Sequence, residues 1–357
     1  MKLKPIHTLF AMLLLLTGCE EYYRADLDKM DNLMVVESRI SPYAKERYIK
    51  LSQTSNFNDN MSASPIKEAQ CSIVESNGTA YPGTETSEGY YTFRTFVPES
   101  GKSYKLQIKH GGDTYESDFE TMPPAARIDS IYAVLAEKTI YFTDAYGKPS
   151  SSTDKGFELK IDAPLTDKER FYKFNHESVI QWTYQPPSTI GPPPPPWYGW
   201  KVFSDTGDNF NLAAKKQFSG AEKVENHTIV YRSLNNLNYL DSLAQTNQGW
   251  IITVEQYGIT ESSYNFYNNI NKQLSASGQL FDPVYAQVTG NIHCVTQPDK
   301  VVLGQFDLCS FNRYRYFAKA FNFSVEIMQH QVYTFTEIPP SNYFDDGTIP
   351  AFWEKSY

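Results

Sequence analysis

Thiols, imidazoles and carboxylates carry most protein chemistry, and here their spacing offers one specific motif. The chain of 357 residues holds 4 Cys, 6 His and 41 Asp plus Glu. Near the N-terminus, Leu16-Thr17-Gly18-Cys19 resembles a bacterial lipobox, in which the cysteine thiol is acylated and cleavage leaves that residue first. Lys2 and Lys4 precede a compact apolar run from Leu9 to Leu16. That run is far below the ~20 residues that span a bilayer. Residues 1–18 therefore read as a lipoprotein signal peptide, residues 19–32 as a lipidated tether, and Cys19 as the lipidation site. A single acyl chain binds a membrane only marginally, so stable anchoring needs several chains on that cysteine.

Hydrolytic signatures are missing: no Gly-x-Ser-x-Gly elbow, no His-Glu-x-x-His and no Gly-rich phosphate loop occur. His176-Glu177 lacks a second histidine four residues on and reads as a polar pair in a strand. Asp205, Asp208, Asp345 and Asp346 are the clustered carboxylates. The first two lie in "DTGDNFN", which offers oxygen ligands for calcium but departs from the EF-hand order, so a solvated turn is favoured. No catalytic residue, cofactor or metal site is assigned. Glycoside hydrolysis needs two carboxylates and no local motif, which keeps a carbohydrate hydrolase open as a third reading.

Beyond Cys19 lie Cys71, Cys294 and Cys309, an odd number. If the segments around Cys294 and Cys309 form a hairpin about Pro298-Asp299, Cys294 falls opposite Leu303. The six-residue offset to Cys309 is then about 20 Å, too far for a disulfide. Buried free thiols are expected.

The other candidate for contact chemistry is aromatic. Trp182, Tyr184, Trp197, Tyr198 and Trp200 bracket a run of five prolines, Pro192 to Pro196. Such a run favours a polyproline-II rod, so residues 185–200 are expected to project as a long loop with an aromatic root. These rings suit stacking on sugars or anchoring an interface, or they fold back over a core. Both readings stay open.

The elements that must position these groups are mainly strands. With 26 Tyr, 22 Phe and 5 Trp, and with 21 Pro and 19 Gly as punctuation, the composition favours β structure over a helical bundle. From Leu33 to Thr121, six strand-like runs occur, several with period two. Tyr104, Leu106 and Ile108, for example, alternate with Lys105, Gln107 and Lys109. The expectation is an all-β protein: an N-terminal immunoglobulin-like β-sandwich over residues 33–124, then a larger β-rich domain over 125–357. Met122-Pro123-Pro124 marks the boundary. One or two short helices are expected, one near 260–276 with Thr260 as N-cap and Gly278 as stop, and a weaker one over 237–246. The formal net charge is −9, which argues against nucleic-acid binding and against electrostatic adhesion to anionic lipid.

Three stretches carry a family likeness. They are "FDPVYAQVTGNIHCVTQPDKVVLGQFDLCSFNRYRYF" (281–317), "GKSYKLQIKHGGDTYESDFETMPP" (101–124) and the terminal "IPAFW" (349–353). With the lipobox, they resemble a Bacteroidota outer-membrane lipoprotein family, the domain of unknown function DUF4249. The resemblance implies a lipid anchor in the outer membrane and a neighbouring TonB-dependent receptor as partner. It also implies a non-catalytic, accessory role in nutrient or metallophore uptake, with the ligand unspecified. Glu20-Glu21 behind the anchor match part of that phylum's surface-export signal. Asp129-Ser130-Ile131 and Asp241-Ser242-Leu243 match its O-glycosylation motif, which makes Ser130 and Ser242 candidate sites. A structural or adhesive surface protein without a transport partner is the alternative.

Overall fold

The computed structural model describes residues 32–318 apart from 44, 46, 56–62, 166–170, 185–190, 193–194, 196, 205–208, 216–221, 234–249 and 276–287. Cys19 and Ser242 lie outside the described residues, as do Asp205, Asp208, Asp345, Asp346 and the second expected helix.

The first half folds as a two-sheet sandwich. Its strands are β1 (Met34–Ile40), β2 (Arg47–Gln53), β3 (Ser64–Pro65), β4 (Gln70–Glu75), β5 (Ala80–Pro82), β6 (Thr84–Ser87), β7 (Tyr90–Thr92), β8 (Ser103–His110), β9 (Asp113–Ser117) and β10 (Glu120–Thr121). One sheet orders β1-β2-β7-β6 with β3 on β2, and the other orders β9-β8-β4-β5 with β10 on β8. The period-two reading holds in β8, where Tyr104, Leu106 and Ile108 are buried and the residues between them are half-buried. Those three pack with Val36, Ile49, Leu51, Ile73, Tyr91 and Phe96 in one apolar core. Removing this apolar surface from water is the main force that holds the two sheets together.

The second half builds another pair of sheets. Its strands are β11 (Ser130–Thr143), β12 (Pro149–Pro164), β13 (Phe171–Tyr184), β14 (Trp197–Ser204), β15 (Asn211–Ala214), β16 (Lys223–Ser233) and β17 (Trp250–Ile259). Helix α1 (Glu261–Leu274) follows, then β18 (Ile292–Cys294), β19 (Val302–Gln305) and β20 (Cys309–Ala318). The sheet β11-β12-β16 packs on the sheet β14-β13-β17-β20 through Phe157, Leu159, Ile161, Tyr172, Phe174, Val224, Ile252 and Val254. Helix α1 covers the opposite face of the second sheet through Tyr264 and Tyr267, against Tyr257 and Ile259. Thr260 caps it as expected, its Oγ1 accepting from Ser263 N–H at 3.2 Å. The helix ends at Ser275, ahead of Gly278.

The chain then returns to the first sandwich. β18 pairs antiparallel with β9, and β19 pairs parallel with β1. The expected hairpin about Pro298-Asp299 does not form. Cys294 faces Tyr115 on one sheet, while Leu303 faces Val35 on the other. The turn between them is held to the first of these sheets by Asp113. Its carboxylate accepts from Thr296 Oγ1 at 2.8 Å, Gln297 Nε2 at 2.9 Å and Lys300 Nζ at 2.8 Å. Each returning strand covers an edge that would otherwise offer unpaired backbone groups. Cys71, Cys294 and Cys309 are buried thiols outside any disulfide, as expected, and burial pushes the Cys71 thiol up to about 12.

Candidate functional site

The five aromatic positions fall on an edge hairpin. β13 and β14 pair Gln181 with Trp200, Trp182 with Gly199, Thr183 with Tyr198 and Tyr184 with Trp197. Trp197 to Trp200, expected within the loop 185–200, thus belong to strand β14, while β13 ends at Tyr184 as that expectation has it. Among the described residues, β17 pairs along β13 from Gly258 with Tyr172 to Trp250 with Ile180.

Ser130 opens β11 and is half-buried, and its hydroxyl donates to Asp162 Oδ2 at 2.7 Å. Asp162 also accepts from Asn226 N–H at 2.8 Å and Tyr132 Oη at 3.2 Å. Burial alone would raise its pKa, but these hydrogen bonds hold its carboxyl below the usual range. His176 and Glu177 lie in β13, alternating as strand residues do.

A buried polar chain, absent from the residues singled out in the sequence, joins the two sandwiches. Alternation places Tyr172 and Phe174 toward the β11-β12-β16 sheet, so Lys173 between them points at α1. There its Nζ lies 3.3 Å from Asp307 Oδ2, with side-chain exposures of 1% and 0%. Tyr267 Oη donates to the same oxygen at 2.7 Å, and its ring lies 4.1 Å from the ammonium. Burial would push the Asp307 carboxyl up, but the Lys173 charge and the Tyr267 hydroxyl hold it below the ordinary value. Burial and the Asp307 charge together push the Tyr267 phenol well above 10. The Asp307 backbone faces the first sandwich. Its N–H donates to Ser38 Oγ at 2.7 Å, and its carbonyl accepts from Ile40 N–H at 2.9 Å.

A second polar chain runs beside it. Asn291 Nδ2 donates to Glu120 Oε1 at 2.8 Å, and Asn291 Oδ1 accepts from Phe306 N–H at 2.8 Å. Gln305 Oε1 accepts from Asn291 N–H at 3.1 Å, and its Nε2 donates to Ser262 Oγ on α1 at 3.0 Å. Burial raises the Glu120 carboxyl, and Asn291 opposes that rise. One connected set of side chains thus ties β10, β19 and α1. Two glycines let the segments approach. A Cβ on Gly304, which has φ +99°, would lie 1.9 Å from Val36 O. A Cβ on Gly290 would lie 1.6 Å from Gly304 O. On the outer flank, Tyr43 stacks on Phe311 of β20 with ring centroids 4.9 Å apart.

Lys173, Asp307, Tyr267 and Glu120 are turned inward, and each has a partner within the junction, Asp307 through Oδ2. Among the described residues, no group of three His, Cys, Asp or Glu side chains could hold a metal ion. No described helix is long and apolar enough to cross a membrane.

Among the described residues, His227 has a strongly shifted imidazole. Asn211 Nδ2 donates to Thr228 O and Ile229 O at 3.0 and 3.1 Å, which orients Asn211 Oδ1 to accept from His227 Nε2–H at 2.6 Å. Burial lowers the His227 pKa from 6.5 to about 4. A depressed folded-state pKa means that the unfolded chain binds the proton first. Stability is therefore full above pH 6.5 and falls as pH drops toward about 4, with a slope of up to one proton. His227→Gln should remove that slope in urea titrations across the window.

The fold and junction define the class: an all-β protein of two sandwiches whose inward polar groups serve the joint between them. The family can then be stated. The model for the domain of unknown function DUF4249 matches residues 20–315, and the chain belongs to that family. No curated protein and no solved structure gives a match. The stretch "TGNIHCVTQPDKVVLGQFDL", on which the likeness rests, supplies Gly290, Asn291, Gly304, Gln305 and Asp307 to the junction.

Proposed function

We propose that the protein is an outer-membrane lipoprotein, anchored through acylated Cys19 and facing the cell exterior. It acts as a non-catalytic binding or accessory subunit of a TonB-dependent receptor in nutrient or metallophore uptake. The lipobox supports the anchor, and the likeness to Bacteroidota lipoproteins supports the receptor. The observation that carries the binding role is the set of five large aromatics on four successive rungs of an edge hairpin. Rigid, amphipathic Trp and Tyr side chains at such a place are typical anchors of protein interfaces.

Two experiments test the parts separately. Cys19→Ala should shift the protein from the membrane fraction to the soluble fraction; continued anchoring contradicts the lipid reading. Crosslinking of the native protein in outer membranes should recover a β-barrel receptor, and deleting Gly191 to Trp197 should weaken that recovery at least tenfold. Recovery of glycans alone would favour an adhesin, and turnover of a glycan would favour a hydrolase.

A further inference from the structure

Among the described residues, the last rung of the β11–β12 hairpin with β16 pairs Gly156 with Ser233. Beyond that rung, Glu137 to Thr143 pair with Pro149 to Lys155 as a ribbon. Its β11 strand exposes large apolar side chains: Ile140 40%, Tyr141 81% and Phe142 47%, with Tyr146 at 88% in the turn. Exposed apolar groups concentrated in this way mark interaction surfaces. Among the described residues, the outer edge of β11 has no strand beside it.

The two edges of the ribbon differ. The β12 edge carries Pro149, which has no N–H to donate and blunts strand addition. The β11 edge has no proline. Asp144 N–H donates to Lys148 O at 2.9 Å, so Thr143 and Pro149 form a non-hydrogen-bonded pair. Alternation then turns the backbone N–H and C=O groups of Thr139, Tyr141 and Thr143 outward, ready to pair.

That edge is chemically palindromic. It reads Lys138-Thr139-Ile140-Tyr141-Phe142-Thr143-Asp144. We propose that two copies of this chain pair antiparallel along β11, about a two-fold axis through Tyr141. A two-fold axis normal to the sheet keeps each residue on its own face and makes the contact self-complementary. The rungs are then Tyr141 with itself, Ile140 with Phe142, Thr139 with Thr143 and Lys138 with Asp144, the last three each occurring twice. All belong to favourable cross-strand classes: aromatic pairs, β-branched with aromatic, Thr with Thr, and opposite charges. Other centres lose this match. A centre at Glu137 sets two carboxylates together, one at Thr139 sets Glu137 against Tyr141, and one at Thr143 sets Phe142 against Asp144. Lys138 lies 3.8 Å from Glu158 and keeps 48% of its side chain exposed, so it remains accessible to a second chain.

Register-specific crosslinking tests this pairing in the full chain, both in membranes and after detergent extraction. At the two-fold axis, facing Tyr141 positions are about 5.5 Å apart between Cα atoms, within disulfide range. Tyr141→Cys should give a disulfide dimer under mild oxidation. Thr139 in one copy lies four residues, about 13 Å, from Thr139 in the other. Thr139→Cys alone should therefore link at least tenfold less, while mixed Thr139→Cys and Thr143→Cys chains should link well. The described native cysteines are buried and should not compete. Sedimentation of the unsubstituted chain should show a dimer, and Tyr141→Pro should weaken it at least tenfold. A Tyr141→Cys chain that stays monomeric overturns the proposal. So does equal linking by Thr139→Cys alone, or capture of this edge only by another protein or by lipid vesicles.

Discussion

Lys173→Met should lower the unfolding free energy by about 3–5 kcal/mol, the usual cost of removing one partner from a buried ion pair. Methionine fills a similar volume, so packing is largely kept. What is lost is the compensation of the Asp307 carboxylate, which has no exposure to water and lies 3.3 Å from the lysine ammonium. Tyr267 still donates one hydrogen bond to that carboxylate, but a hydroxyl dipole does not replace a full charge. Replacing both residues, as Lys173→Met with Asp307→Leu, should recover much of the loss, because two well-packed apolar groups avoid the desolvation of two ions. Urea titration of the parent and both variants reads this directly. If Lys173→Met lies within about 0.5 kcal/mol of the parent, like an ordinary surface change, the buried pair does not hold the junction.

Gly304→Ala should have an effect of similar size for a different reason. The residue has φ +99°, and an added Cβ would meet the Val36 carbonyl oxygen at 1.9 Å. The obstacle is backbone in the core of a sheet, not the end of a side chain that can swing away. The torsion alone costs about 1–3 kcal/mol, and separating β19 from β1 should bring the total to at least about 3 kcal/mol. Gly101→Ala is the matched control: its φ is +83°, with nothing within 4 Å of the added Cβ. Equal losses for the two variants, measured by thermal unfolding, would mean that close approach at Gly304 contributes nothing.

Local pattern made the strands and the helix legible. The alternation around Leu106 matches the buried face of β8, and Thr260 caps α1. Choice of partner was not legible. "NIHCV" and "VVLGQ" look like two arms of a hairpin, but they end on different sheets, because Asp113, far away in sequence, holds the turn between them. A period of two says that a strand exists and which face is buried, but not which edge it joins. The ion pair left a fainter trace. Lys173 stands between Tyr172 and Phe174, and Asp307 between Phe306 and Leu308. A charge inside an apolar run is a sign of a buried partner, although the partner lies 134 residues away. The length of the β11–β12 ribbon is not legible because β11 is exposed from Glu137 to Thr143 and shows no buried face there. The aromatic cluster was visible by composition, and its placement on paired strands came only from the register.

The returning segment makes one mechanical unit of the two sandwiches. Differential scanning calorimetry of the intact protein tests this most directly. A single transition is predicted, with the calorimetric enthalpy equal to the van 't Hoff enthalpy. Two resolved transitions, one unaffected by Lys173→Met, would contradict it.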